Sequence, residues 1–229
     1  FLIAFMPQRD LETLSADYLL SNVRLAYQAR AAAPWGDQIP DAVFFNDVLP
    51  YATIDERRDD WRAKFYEKFQ PLVADAETPG EAAVILNQKI FDDLGVKFSR
   101  KRAKANQSST ETIESGLASC TGLSILLIDA CRAVGVPARL AGTPLWPDRS
   151  GNHSWVEVWD GQWRFTGAAE PSGDQLDRGW FKKRAATARA DHPLHAIYAT
   201  SYKPTGTTFP MVWAMNDKTV AAVNVTARY

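Results

Sequence analysis

Cysteine and histidine are scarce in this sequence of 229 residues, which holds two cysteines and three histidines. Two cysteines exclude both a disulfide scaffold and a four-cysteine zinc site. Among the histidines, His192 and His195 are separated by Pro193, which disfavours the helical turn on which the pair could share a metal ion. We therefore expect no metal site and no cofactor, and His153 is the main candidate for imidazole chemistry.

The chain also lacks an excess of charge and any long apolar run. Lys and Arg number 26 against 27 Asp and Glu, a net charge of −1, whereas proteins that grip nucleic acid are usually far more basic. No segment is apolar over a length that would span a membrane. A basic stretch at residues 97–106 is typical of a solvated loop, with a small anion-binding patch as the alternative. We expect neither a nucleic-acid partner nor a membrane span.

The first residue is Phe1 rather than Met, and residues 1–6 lack the basic start and the length of an intact signal peptide. One expectation from this start is an exported or extracytoplasmic protein. Another is a longer chain with further domains.

The pattern of apolar residues predicts a buried central helix followed by antiparallel strands. The segment from Cys120 to Gly135 is apolar almost all round, which is typical of a helix at the centre of a domain. Residues 138–143 and 153–159 are predicted strands, and Asp160-Gly161 is predicted as a two-residue hairpin turn. Helices precede this helix and strands follow it, so the predicted fold class is α+β.

Cys120 lies where the central helix is predicted to begin. Unpaired N–H groups and the helix dipole at that position favour an anion, so a thiol there should have a lowered pKa and more thiolate. Taken alone, a buried structural cysteine is the commoner case. Cys131 lies further along the same helix among apolar residues, and we expect it to be an inert core thiol.

His153 begins the alternating strand that follows the helix. Alternation places His153, Trp155, Glu157 and Trp159 on one face, with the valines between them on the other. The valine face is the predicted deep core. The histidine face is then expected to meet a second packed layer or a cleft.

Three ordered motifs in residues 115–165 resemble the core of the transglutaminase-like superfamily. They are the Gly-Leu-Ala-Ser-Cys box at 116–120, the Cys-Arg-Ala-Val-Gly-Val-Pro-Ala-Arg segment at 131–139 and the His-Ser-Trp-Val-Glu-Val box at 153–158. The resemblance implies a papain-like α+β core in which a central buried helix bears the cysteine and packs on an antiparallel sheet bearing the histidine. Cys120 then matches the nucleophile and His153 the base. We expect residues 79–195 to form the catalytic core. The resemblance does not explain the two flanks, and their patterns predict an N-terminal helical extension at 1–78 and, at 196–229, strands that complete the domain or lead to a further one.

The third member of the triad departs from the family pattern. The superfamily usually has an aspartate on the next strand, four residues after a tryptophan. The corresponding tryptophan is Trp163, and the position four residues later is Gly167, which has no side chain.

Hairpin geometry offers a substitute acid. With a two-residue turn, His153 would lie opposite Ala168, and Glu170 would be the first acid on the histidine face. Glu157 shares the face but lies roughly 13 Å along the strand, where Arg164 is its expected partner. We predict Glu170 as the orienting carboxylate, and the alternative is that Glu170 is only a surface acid at a strand end. Asp174 and Asp177 are also possible, but they lie past Pro171 and Gly173.

Substrate contacts are expected from the helix start and from nearby amides. The backbone N–H of Cys120 is a natural oxyanion donor. Gln107 and Asn152 are the candidate side-chain donors, and Trp155 is a candidate for an aromatic substrate groove.

These residues favour a cysteine-dependent acyl-transfer enzyme that acts on a peptide or carboxamide bond through an acyl-enzyme. The resemblance favours a protease or amidase over an amine-accepting transglutaminase. The alternative is a transglutaminase-like module that has lost catalysis and binds a peptide or glycan, which the absent aspartate would favour.

Overall fold

The computed structural model describes residues 1–229, which form nine α-helices and seven β-strands. The helices are α1 (Leu2–Phe5), α2 (Gln8–Thr13), α3 (Ala16–Ala32), α4 (Asp41–Asp47), α5 (Arg62–Phe69), α6 (Pro79–Asp93), α7 (Ser109–Ser115), α8 (Cys120–Ala133) and α9 (Lys182–Ala185). The strands are β1 (Lys97–Phe98), β2 (Leu117–Ala118), β3 (Ala138–Thr143), β4 (His153–Trp159), β5 (Trp163–Thr166), β6 (Tyr198–Ser201) and β7 (Ala221–Asn224). No helix is both long enough and apolar enough to cross a membrane.

Helix α8 is the centre of the protein. Every residue from Thr121 to Ala133 is buried, because helices pack on one side of α8 and the five-stranded sheet on the other. The helix begins where Ser119 accepts a hydrogen bond from the N–H of Gly122 at 3.1 Å. It ends before Gly135, whose φ of +81° turns the chain away. The predicted all-round apolar helix is therefore confirmed as a core element.

The N-terminal helices share the core with α8. Arg62 of α5 is buried and donates to the carbonyl oxygens of Arg132 on α8 at 2.9 Å and of Val48 at 2.9 Å. Arg132 in turn donates to the carbonyl oxygens of Asp47 and Ala52. Buried guanidinium groups need such partners, so these bonds fix the helical segment against the central helix.

The sheet has the strand order β5-β4-β3-β6-β7 and every neighbouring pair is antiparallel. Strands β6 and β7 come from the last part of the chain and complete this sheet. Val156 and Val158 of β4 face α8 in the main core, as the alternation predicts. The other face bears Trp155 and is covered by a separate aromatic cluster that includes Trp146 and Phe181. The fold is α+β, with a central buried helix packed on an antiparallel sheet, as expected.

The register of the β4–β5 hairpin differs from the prediction by one residue. Trp159 pairs with Trp163 rather than with Gln162, because the loop has three residues and not two. The N–H of Asp160 donates to the carbonyl of Gln162 at 2.9 Å, and Gly161 between them has a φ of +74°. A sequence that contains Asp-Gly fits either loop length, so the turn residues alone could not fix the register.

The shifted register also corrects the expected partner of Glu157. Phe165 lies opposite Glu157, and Arg164 pairs with Asp177 at 2.8 Å. The Glu157 carboxylate instead binds Arg139 of β3 at 2.7 Å and Arg228 at 3.1 Å. Glu157 is thus a buried structural group that joins the sheet to the C-terminal segment.

Candidate active site

Cys120 is the first residue of α8, and its side chain is partly exposed. Residues at this position have no intrahelical acceptor for their N–H groups. The helix start is joined to the start of β4, because the hydroxyls of Thr121 and Ser154 are 3.1 Å apart and hydrogen-bonded. Thr121 follows Cys120 and Ser154 follows His153, so this bond joins α8 to β4 directly beside both candidate catalytic residues. This contact fixes Cys120 relative to His153.

His153 is the first residue of β4 and is only 5% exposed. Its ring is surrounded by aromatic side chains, with ring centroids 4.8 Å from Trp180, 4.9 Å from Phe181 and 5.8 Å from Trp155. Such a cage restricts the imidazole to few rotamers. The aromatic face of the sheet therefore serves to orient the histidine.

The pKa values of the two groups shift in opposite directions. Burial raises the pKa of the Cys120 thiol, but hydrogen bonding and charge from His153, with the N–H groups of Ser154 and Thr121, outweigh it and leave that pKa lowered. Burial lowers the pKa of His153, but Cys120 and Glu170 outweigh it and raise that pKa to about 9. Both shifts favour a thiolate next to an imidazolium over the neutral pair.

Glu170 lies beside the Nε2 atom of the His153 ring. Its Oε2 atom is 3.7 Å from Nε2, which is beyond hydrogen-bond distance but close for an ion pair. The same oxygen accepts a hydrogen bond from Nε1 of Trp180 at 2.7 Å. Nε2 of His153 is buried and has no hydrogen-bond partner. The carboxylate is thus the nearest acid to an unpaired imidazole nitrogen.

A turn after β5 places Glu170 beside His153. The prediction that an extended strand would bring Glu170 to the histidine face was therefore wrong. Strand β5 ends at Thr166, and the N–H of Glu170 donates to the carbonyl of Gly167 at 3.1 Å. Ala169 within this turn has a φ of +59°. Asn87 of α6 holds the turn by accepting from the N–H of Ala169 and donating to the carbonyl of Gly167, both at 2.9 Å.

Gly167 leaves the space that the Glu170 side chain occupies. A Cβ atom at position 167 would lie 2.5 Å from Oε2 of Glu170, closer than real Cβ contacts come. A side chain at position 167 and the present position of Glu170 are therefore mutually exclusive. The carboxylate of Glu170 fills the volume that the absent side chain would have used.

Cys120 opens onto a surface cleft of about 390 Å³. One wall comes from the basic stretch before α7, and the other from the loop before β4 and from a C-terminal segment. The lining residues are Phe98, Arg100, Arg102, Ala105, Ser119, Cys120, Thr121, Ser150, Gly151, Asn152, Val212 and Trp213. The cleft gives a substrate access to Cys120, while His153 is almost fully buried and does not line the cleft.

A comparison with models of known protein families identifies the family of this chain. The family model of the transglutaminase-like superfamily matches residues 67–182, about half of the chain. The chain belongs to the transglutaminase-like superfamily.

A crystal structure reported as a "putative cysteine protease" from Cytophaga hutchinsonii is similar, with a TM-score of 0.41 and 21% sequence identity. The match covers 61% of this chain and 48% of that one, so this chain spans about half of that protein. No curated protein matches the chain.

Among the residues expected to bind substrate, the structure brings only Asn152 to the cleft of this transglutaminase-like protein. Trp155 is fully buried, and its Nε1 donates to the hydroxyl of Tyr229 at 2.7 Å, so it cannot contact a substrate. The Nε2 of Gln107 donates to the Glu111 and Leu117 carbonyls and to the Ser115 hydroxyl. Its amide group thus stabilises the turn after α7 and does not line the cleft.

Two features of the site have no clear sequence signal. The contact of Trp180 with Glu170 depends on a loop after β5, and the Thr121–Ser154 contact depends on how α8 meets β4.

His192 and His195 stack with their ring centroids 4.0 Å apart. No group of three or more His, Cys, Asp or Glu side chains is arranged to hold a metal ion.

Proposed function

We propose that this protein is a cysteine-dependent acyl-transfer enzyme that cleaves peptide or carboxamide bonds, with Cys120 as nucleophile, His153 as acid and base, and Glu170 as the orienting carboxylate. The observation that supports it most is the pairing at the start of α8. Cys120 opens onto a cleft, and its pKa and that of His153 shift toward a thiolate and an imidazolium.

In the acylation step, the Cys120 thiolate attacks the carbonyl carbon and a C–S bond forms. The oxyanion is stabilised by the backbone N–H of Cys120, which the helix leaves without an acceptor. The C–N bond then breaks as the His153 imidazolium gives its proton to the leaving amine. The products of this step are a thioester on Cys120, a free amine and a neutral imidazole.

In the deacylation step, water attacks the thioester and His153 takes its proton. The C–S bond breaks, the acid product leaves, and the thiolate with its imidazolium is restored. Water is the acceptor that we propose, because exposed Ser150 and Asn152 line the cleft and leave it open to solvent. Transfer to an added amine, detected by the mass of the product, would identify a transglutaminase instead.

Glu170 would hold the imidazole with Nε2 toward its carboxylate. The present separation of 3.7 Å is longer than a hydrogen bond. Catalytic hydrogen bonds in unliganded sites are often long and shorten in the substrate complex. The carboxylate also stabilises the imidazolium, which is the direction in which it shifts the pKa of His153.

Alkylation with iodoacetamide at pH 7 tests the nucleophile directly. Cys120 should be carboxamidomethylated stoichiometrically and fast, and Cys131 should not react in the folded protein, as read by peptide mass spectrometry. His153→Ala should slow the labelling of Cys120 by about tenfold or more, because the thiol loses the partner that lowers its pKa. His192→Ala is the matched control and should leave the rate unchanged.

Two outcomes would contradict the proposal. Slow labelling of Cys120, at the rate of an ordinary thiol, would show that the thiolate does not form. Fast labelling together with no cleavage or transfer in a broad peptide library would show that the thiol is activated but that the cleft only binds.

A further inference from the structure

The basic stretch that precedes α7 forms one wall of the cleft beside Cys120. Phe98 is fixed by the parallel pairing of β1 with β2, which is the short strand just before Cys120. The N–H of Ser99 donates to the carbonyl of Ala118 at 2.8 Å, and the hydroxyl of Ser119 donates to the carbonyl of Ala105 at 2.5 Å. Both ends of this loop are thus held by the residues that immediately precede the candidate nucleophile.

Only part of the charge in this stretch faces the cleft. Arg100 and Arg102 line it, whereas Lys97, Lys101 and Lys104 do not. Lys104 is also neutralised by Glu111 at 2.9 Å. The basic stretch is therefore more than a uniformly solvated loop.

The two arginines have no acidic partner. Neither forms an ion pair, and Nη1 of Arg102 donates only to the backbone carbonyl of Arg100, at 3.0 Å. No Asp or Glu lines the cleft, although acids slightly outnumber bases in the whole chain. This wall is thus a local concentration of unpaired positive charge next to Cys120.

We propose that Arg100 and Arg102 bind a carboxylate of the substrate close to the carbonyl that Cys120 attacks, so that the enzyme selects acidic peptides. This inference rests on the proposed acyl-transfer function and names its substrate class. The guanidinium group presents a planar fork of donors that matches a carboxylate, and two such groups around one cleft favour an anion over a neutral side chain. The exposed ring of Phe98 on the same wall supplies an apolar contact for the methylenes or backbone of the peptide.

The carboxylate could belong to an Asp or Glu side chain or to a free C-terminus. The probe is a synthetic library of decapeptides in two forms, one with both ends blocked and one with a free carboxyl end. Enriched cleavage next to Asp and Glu in the blocked form identifies a side-chain site. Cleavage confined to the free form, near its last residues, identifies a terminal carboxylate.

The variants test whether the preference for acidic peptides comes from these two arginines or from any positive charge on the loop. Arg100→Gln with Arg102→Gln should lower kcat/KM for an acidic peptide by about tenfold and much less for its Gln counterpart, because a partly exposed arginine pair contributes modestly in water. Lys101→Gln removes a charge from the same loop outside the cleft and should leave both values unchanged. Arg100→Glu with Arg102→Glu should reverse the preference toward a Lys-containing peptide.

The inference is overturned if the wild-type enzyme cleaves peptides with no preference for an acid, or if the double Gln variant keeps that preference. A protein that cleaves nothing is tested by binding instead. Fluorescence anisotropy of labelled Glu and Gln peptides with the Cys120→Ala variant should still show tighter binding of the acidic peptide, and the selectivity should weaken as salt is added. Equal binding overturns the inference, whereas selective binding without any cleavage overturns only the proposed acyl transfer.

Discussion

The two ends of the central helix α8 each bear a cysteine, and the pKa values of the two thiols shift in opposite directions. Cys120 at the start is partly exposed, and its pKa is lowered through His153 and nearby N–H groups against the effect of burial. Cys131 near the end is fully buried, and burial raises the pKa of its thiol to about 12. The two sulfurs are separated by roughly 16 Å along the helix axis, given its rise per residue. In the proposed mechanism, position on the helix, and not residue type, decides which thiol is reactive.

The comparison also shows what each end requires from the rest of the fold. The interior cysteine needs only apolar neighbours, which α8 and the sheet supply together. The terminal cysteine needs a histidine from β4 and, beyond it, a carboxylate from the turn after β5. In the proposed mechanism the Cys120 end therefore depends on three separate segments. Substitutions there should affect activity, whereas polar substitutions at the buried Cys131 end should affect stability.

The largest effect is expected from Cys120→Ala. Loss of the nucleophile should lower kcat by at least about 10³-fold, as in other enzymes that form covalent intermediates. The urea midpoint should change little, because the side chain at the helix start is partly exposed. Peptide turnover and a urea unfolding curve measure the two quantities on one preparation. Unchanged turnover would mean that Cys120 is not the nucleophile.

Glu170→Gln should lower kcat by about 10²-fold, since a wrong imidazole tautomer is costly in triads of this kind. The amide keeps the shape of the side chain but removes the charge beside Nε2 of His153. Asp174→Asn is the matched control, because this acid lies in the same loop and is exposed. Equal losses in the two variants would indicate a loop effect and not a role at the histidine.

A relocated carboxylate sharpens the same test. Gly167→Asp combined with Glu170→Gly places an acid where the superfamily usually has one and removes the side chain that it would meet. This double variant should recover about tenfold of the activity that Glu170→Gly alone loses, because orientation of the imidazole is restored in part. No recovery would show that the site needs Glu170 in its present turn.

The elements that hold Cys120 and His153 were predictable because their signals are local. Ser119 and Gly135 bound the central helix, and the alternation of β4 separates valines from the histidine face. The hairpin register was missed because the Asp160-Gly161 pair fits a loop of two or of three residues. Glu170 was selected for a wrong reason, since a turn held by Asn87 determines its position.

Burial of Trp155 and the charge of the cleft depend on distant segments. Tyr229 and Phe181, far along the chain, cover the tryptophan, and no local pattern reveals them. The basic stretch was predicted as a solvated loop or as an anion patch. The folded structure shows that two of its arginines line the cleft beside Cys120, which no local pattern indicates.

Cys131→Ala should lower the free energy of unfolding by about 1 kcal/mol and leave kcat unchanged, because a small buried apolar group is lost and a cavity remains. Urea unfolding followed by tryptophan fluorescence measures the stability. Cys131→Ser should be more destabilising, since a buried hydroxyl would lack a partner among the apolar side chains. Loss of turnover with unchanged stability would reverse the assignment of the two thiols.

The smallest effect is expected from Trp180→Phe, which tests whether the reactive end depends on a hydrogen bond outside the triad. Phenylalanine keeps a ring against His153 but removes the N–H that holds Oε2 of Glu170. The loss of one hydrogen bond, about 1 kcal/mol, should lower kcat about three- to fivefold with little change in KM. Glu170 helps to raise the pKa of His153 to about 9, so a less fixed carboxylate should move the alkaline limb of the pH–rate profile to lower pH as the imidazolium is lost earlier. Trp180 is 57% exposed, and a raised KM with an unmoved alkaline limb would show instead that its ring contacts the substrate.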